Sequence, residues 1–264
     1  MRNVQISLVS GDGCDATGWV TAGLPGHRIE NVTLERLLRR LSRAAADQNL
    51  TAGRDAVARL VLPRGHYVRP MICPSEPRTV ELLRDQARRM HAAWGAKGYM
   101  MSHDEIRVLN WCAACQRRKL EPGAILGDNV RTCIRTLREV NPGGRIYVWS
   151  DMFDPHHNAV KNDYYFVRGD LTGSWEGLDQ DVIIVPWYFE KRTESLKWFA
   201  DRGHRQVIAG YYDGKPEQIR DWLNSARDVN GVLGVMYTTW ENKYGDLEAF
   251  ADVVSASAGP PRRN

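Results

Sequence analysis

The order of patterns along the chain predicts an α/β fold of the (β/α)8 barrel type, and three observations carry that prediction. From residue 67 onward, short β-branched or apolar runs alternate with stretches of helical period. The links between runs are long enough for the crossovers that parallel strands require, and parallel sheets need helices covering them. Polar or aromatic clusters close nearly every run instead of one switch point, which suits a barrel assembled from many strand ends better than an open doubly wound sheet. The length of 264 residues is close to the roughly 250 that such a barrel needs.

Taken in order, residues 1–66 are the least regular. They hold a strand-like run at 4–9, Gly-rich punctuation from Gly11 to Gly26, an amphipathic stretch at 33–47 and a further strand-like run at 56–62. Clear counterparts of the first barrel strands are missing there, so this segment is expected to replace or lack them. The barrel proper is expected over 67–258, with a disordered tail at 259–264. Its first strand, 67–73, stops at Pro74-Ser75-Glu76-Pro77. Helices are predicted at 78–93, ending at Gly95, and at 123–140, 193–202, 216–227 and 246–255, where apolar residues recur at helical spacing. Strands are predicted leading into Ser102-His103-Asp104-Glu105, Trp149-Ser150-Asp151, Pro186-Trp187, Tyr211-Tyr212-Asp213 and Trp240-Glu241.

Composition narrows the partners. The net charge is +4, and residues 1–70 supply all of the excess with 10 Lys and Arg against 6 Asp and Glu. The arginines Arg36, Arg39, Arg40 and Arg43 read as a solvated helix face, so nucleic acid is not an expected partner. No apolar run approaches the roughly 20 residues that span a bilayer, so no membrane association is expected. The first residues lack the apolar centre of a secretory signal, and localisation stays open.

The strand-end clusters are the candidate site. Asp104 and Glu105 are adjacent carboxylates, a pairing suited to acid–base chemistry. His103, Trp149, Asp151, Trp187, Tyr211, Tyr212, Trp240 and Glu241 are candidate residues of one shared pocket, because acids resist burial without partners and strand ends that carry both aromatics and acids are poorly explained by packing alone. Adjacent strand residues face opposite ways, so Asp104 and Glu105 must lie where their strand has ended.

These motifs resemble glycoside hydrolase family 20, the β-N-acetylhexosaminidases, over roughly residues 67–254. Ser102-His103-Asp104-Glu105 resembles the family's Asp-Glu pair after the fourth strand, and Trp149-Ser150-Asp151-Met152, Pro186-Trp187, Tyr211-Tyr212-Asp213 and Trp240-Glu241 follow the order of strands five to eight. The resemblance implies a retaining, substrate-assisted hydrolysis of terminal N-acetylhexosamine or a related sugar. It makes Glu105 the general acid and Asp104 the residue that orients the acetamido group. It also implies that Tyr211 or Tyr212 bonds the acetamido carbonyl, that Trp187 and Trp240 wall the sugar, and that Glu241 holds its hydroxyls. Trp149 and Asp151 would contribute from the fifth strand, and His103 would orient Asp104 or touch a hydroxyl. No cofactor is implied. A degenerate or truncated, non-catalytic carbohydrate-binding barrel is the alternative, and further domains or an oligomer would then cover the N-terminal side.

Two other patterns stand apart. Cys112-Ala113-Ala114-Cys115 is a C-x-x-C that suits half a zinc site, a redox pair or a disulfide, with Cys73, Cys133, His156 and His157 as the residues that would complete a metal site. A loop-stiffening role without metal is the expectation. Asp151-Met152-Phe153-Asp154-Pro155-His156-His157-Asn158 suits a metal loop or a sugar-contacting loop equally.

Overall fold

The computed structural model describes residues 72–106, 108–161, 166–211 and 213–257. The elements expected at 4–9, 33–47 and 56–62, most of the strand expected at 67–73, and the tail at 259–264 lie outside the described residues. Of the 67–73 run only Ile72 and Cys73 are described, and neither is in a strand.

Helix α1, Pro77–Trp94, starts on a proline whose missing N–H costs nothing in the first turn and ends at Gly95. Gly95 has φ 56° and its N–H bonds His91 O at 2.7 Å, a left-handed cap that favours glycine. Strand β1, Gly98–Met100, follows, then the short β2, Val108–Leu109, and α2, Ala113–Arg117. Helix α3, Pro122–Val140, carries Ile125, Leu126, Val130 and Ile134 on one fully buried stripe. Each such side chain contributes roughly 1.5–3 kcal/mol by leaving water.

The remaining elements are β3 at Arg145–Trp149, β4 at Phe166–Val167, β5 at Ile183–Val185, α4 at Arg192–Asp201, β6 at Gln206–Ala209, α5 at Ile219–Ala226, β7 at Val232–Met236 and α6 at Leu247–Ser257. Strands β1, β3, β5, β6 and β7 form a five-stranded, wholly parallel sheet in that order. Each strand therefore lies beside the one before it, with no reversal. Crossovers of one hand that always step the same way put their connections on one face. The helices accordingly pack as neighbours, α1 on α3, α4 on α5 and α5 on α6. The small pair β2–β4 is a separate parallel ladder.

One crossover differs. Between β3 and β5 the chain forms no α-helix among the described residues, and the 3-10 turn Ser174–Gly177 packs against α3 instead. The contact is close because glycine faces glycine: a Cβ on Gly177 would strike the Gly127 backbone. Two cores result. The larger packs α3, Met152 and Phe153 against Ile146, Val148 and Ile184 of the sheet and Val182 just before β5; the smaller joins Ile208, Tyr211, Ile219, Trp222 and Phe250 at the β6–β7 end. Among the described residues no helix is long and apolar enough to cross a membrane.

Candidate functional site

The C-terminal ends of the five strands form one rim. Backbone bonds carry the ladder past the strands: Trp149 N–H to Ser102 O at 3.3 Å, Ser150 N–H to Val185 O at 3.1 Å, Ala209 N–H to Pro186 O at 2.9 Å and Gly210 N–H to Met236 O at 3.1 Å. Every described residue of the candidate site sits on this rim or in the loops leaving it.

The loop after β1 abandons strand geometry at once. Ser102, His103 and Glu105 have φ of 58°, 65° and 42°, left-handed values that L residues adopt at a cost. That turn resolves the alternation problem, since Asp104 and Glu105 no longer have to face opposite sides of a sheet. Asp104 is buried and Glu105 half-buried.

Asp151, at the end of the neighbouring β3, completes a three-carboxyl cluster. It is wholly buried, and its Oδ2 accepts the Glu105 N–H at 2.8 Å and the Asn158 Nδ2–H at 3.0 Å. Burial pushes its pKa up to about 8, the nearby Asp104 charge adding to the rise, while the two hydrogen bonds oppose it. Because Oδ2 takes both N–H groups, the proton belongs on Oδ1, which is buried without a hydrogen-bond partner. The loop holding Asn158 closes on itself, with Asn158 N–H to Asp151 O at 3.0 Å and Ala159 N–H to Asp154 O at 3.0 Å.

His103 faces inward. Its ring is buried, Nδ1 donates to Met101 O at 2.9 Å, and Nε2 meets the Asn129 amide of α3 at 3.1 Å. Burial lowers its pKa against the pull of both bonds. Asn129 had no sequence signal, because its partner lies on another element.

Aromatic residues stand on the same rim. Trp149 of β3 and Trp240, beyond β7, place their rings 6.1 Å apart although two strands separate β3 from β7. At about 4.8 Å per strand that spacing is roughly 14 Å, so the side chains lean toward each other over the rim. Trp187 meets His157 edge-on at 4.6 Å, and Tyr188 stacks on the same imidazole at 4.2 Å. Burial lowers the His157 pKa to about 4, leaving it neutral. The three tryptophans are half-buried and keep part of their surface in solvent.

Asp213 is the residue that organises the far side of the rim. It accepts hydrogen bonds from Thr239 Oγ1, from Trp240 N–H at 2.5 Å and from Glu241 N–H at 3.1 Å. Burial opposes its ionisation, but these bonds together outweigh it and hold its pKa low. The β6 loop thereby fixes the β7 loop that carries Trp240.

Two expected residues are engaged in other contacts. The Tyr211 ring is buried in the smaller core, stacked on Tyr237 at 4.2 Å, and its hydroxyl donates to Asp246 at 2.7 Å. Glu241 is exposed and pairs with Lys243 at 2.5 Å. Tyr212 lies outside the described residues. The structure thus brings Asp104, Glu105 and Asp151 together and joins Trp149 to Trp240, while Tyr211 and Glu241 make their contacts away from that cluster.

The carboxyl cluster can give and take a proton beside a neighbouring acid. No protein-family model matches the chain, and no curated protein is significantly similar to it.

Proposed function

We propose that the chain is a glycoside hydrolase acting on terminal N-acetylhexosamine or a related sugar by a retaining, substrate-assisted mechanism. The observation that carries this reading is the meeting of Asp104, Glu105 and Asp151 at the C-terminal ends of adjacent parallel strands. The uninterrupted strand order supports a barrel, since a doubly wound sheet would reverse it. Met100 on β1 and Leu233 on β7 are apolar yet exposed on the two outermost strands described, where closing strands would cover them.

Glu105 protonates the glycosidic oxygen as the bond to the leaving group breaks. The acetamido carbonyl oxygen attacks the anomeric carbon, and Asp104 holds the acetamido N–H and stabilises the positive charge of the cyclised ring. Glu105, now a carboxylate, takes a proton from water as it opens that ring, and the two inversions retain configuration. Asp151 holds the Glu105 backbone and, protonated, keeps a third negative charge out of the cluster. The Tyr211 hydroxyl, one of the two expected to bond the acetamido carbonyl, already donates to Asp246.

A second reading has its own support. Tyr211 is engaged by Asp246 and Glu241 by Lys243, so two residues that the resemblance assigns to the sugar already have other partners, as in a barrel that binds carbohydrate without cleaving it. Binding of an N-acetylglucosamine-derived thiazoline, together with turnover of an aryl N-acetylglucosaminide, separates the readings. The enzyme reading expects both, with turnover lost in Glu105→Gln; binding without turnover supports the second, and neither overturns both.

A further inference from the structure

Three of the five cysteines converge on one point. Cys73 Sγ lies 3.0 Å from Cys112 Sγ and 3.6 Å from Cys115 Sγ, and all three sulfurs are within 4.8 Å of one another. Cys112 and Cys115 sit on the N-terminal turn of α2, where the Cys112 sulfur caps the helix by accepting the Cys115 N–H at 3.4 Å. Cys73 arrives from 39 residues upstream, in the segment before α1. Cys133 and the two histidines that the sequence also offered are not part of the cluster.

Each alternative for the C-x-x-C leaves something unexplained. A redox pair needs an accessible sulfur, and Cys112 and Cys115 are 8% and 1% exposed. A disulfide joins two sulfurs and strands the third beside it. A tetrahedral metal uses all three: with Zn–S near 2.3 Å, neighbouring sulfurs stand roughly 3.8 Å apart. The Cys73–Cys115 spacing is already close to that value, and the Cys73–Cys112 pair opens by less than about 1 Å to reach it.

The surroundings fit thiolates. Ser75 Oγ is 3.2 Å from Cys115 Sγ, placed to donate to it, and the Arg118 guanidinium reaches Ser75 Oγ at 3.5 Å. A hydroxyl donor stabilises the single negative charge that three thiolates and Zn2+ leave, while the Arg118 behind it is also ion-paired with Asp128. The soft sulfur set selects zinc over magnesium or calcium.

We propose that Cys73, Cys112 and Cys115 bind a structural zinc ion as thiolates, clamping the segment before α1 to the first turn of α2. The fourth tetrahedral position belongs to a ligand outside this trio. The assignment is independent of whether the carboxyl cluster cleaves a sugar.

The test is metal analysis of the full chain purified with zinc present, followed by substitution with cobalt. About one zinc per chain is expected, retained by Cys133→Ser and lost from Cys73→Ser, Cys112→Ser and Cys115→Ser. The cobalt form should show intense thiolate-to-metal charge transfer and the d–d bands of a tetrahedral site. Absence of zinc, iron in its place, zinc persisting in all three serine variants, or a Cys73–Cys112 disulfide in mapped peptides would each overturn the assignment. If the serine variants do not fold, alkylation of the wild-type chain decides. Protection of all three thiols that a chelator removes together supports the site, and alkylation indifferent to the chelator refutes it.

Discussion

The backbone N–H of Glu105 donates to the buried carboxyl of Asp151 at 2.8 Å, which ties the loop after β1 to the end of β3 through the candidate acid itself. The same bond brings the Glu105 carboxyl near a group whose charge its surroundings resist. Position and protonation of the site are thereby linked.

Asp151→Asn should flatten the pH dependence of stability. The folded protein holds the Asp151 proton up to about pH 8, whereas the unfolded chain releases it near 3.8. The stabilisation is therefore complete below the unfolded value and lost as pH rises through the folded one. Asparagine can still accept both N–H groups through its amide oxygen, so the loop survives. Urea unfolding from pH 5 to pH 9, about the span concerned, should show a decline in the wild type that the variant lacks. Parallel curves would place the buried proton elsewhere.

On the proposed mechanism, Asp104→Asn should damage hydrolysis of N-acetyl sugars far more than hydrolysis of plain glycosides, because only the former would use the acetamido nucleophile. Loss of a charge aimed at the cyclised ring is expected to lower kcat by about 10²–10³. Matched losses on both substrates would argue against substrate assistance.

Trp240→Ala should weaken thiazoline binding, since it removes an aromatic face and the partner of Trp149. The loss is expected at about 0.5–1.5 kcal/mol beyond simple area. Asp213→Ala should reproduce much of it without touching the ligand, because Asp213 holds the Trp240 and Glu241 backbones. Calorimetry on both variants checks this: Asp213→Asn, which keeps an acceptor, should recover part of the affinity, and no recovery would make Asp213 merely a folding residue.

Gly177→Ala should destabilise the fold without altering the rim. The added methyl meets the Gly127 backbone of α3, which a side-chain rotation cannot relieve. Thermal unfolding should register about 1–3 kcal/mol. An unchanged midpoint would mean the turn shifts freely on α3.

The longer helices were legible because their apolar residues recur with the period of a helix and the ends of α1 and α3 carry Pro77, Gly95 and Pro122, whereas the five-residue α2 is too short to show a period. The five sheet strands were legible as apolar runs. The β2–β4 ladder was not, since two-residue strands have no period to read. Asp104, Glu105 and Trp240 announced themselves as polar or aromatic groups just beyond a strand, but Tyr211 has the same local pattern and belongs to a core. Which of the two holds depends on Tyr237, Asp246 and Phe250, all remote in sequence. The meeting of Cys73 with Cys112 and Cys115 was open for a similar reason: spacing within a motif says nothing about a third member 39 residues away.

Ser102, His103 and Glu105 each keep a side chain where backbone angles favour glycine, at about 1–2 kcal/mol apiece. A population selected in the laboratory for heat tolerance alone should therefore drift toward glycine at these codons, and one selected for turnover should resist that drift at Glu105. The tetrapeptide after β1 is where the two kinds of selection pull in opposite directions.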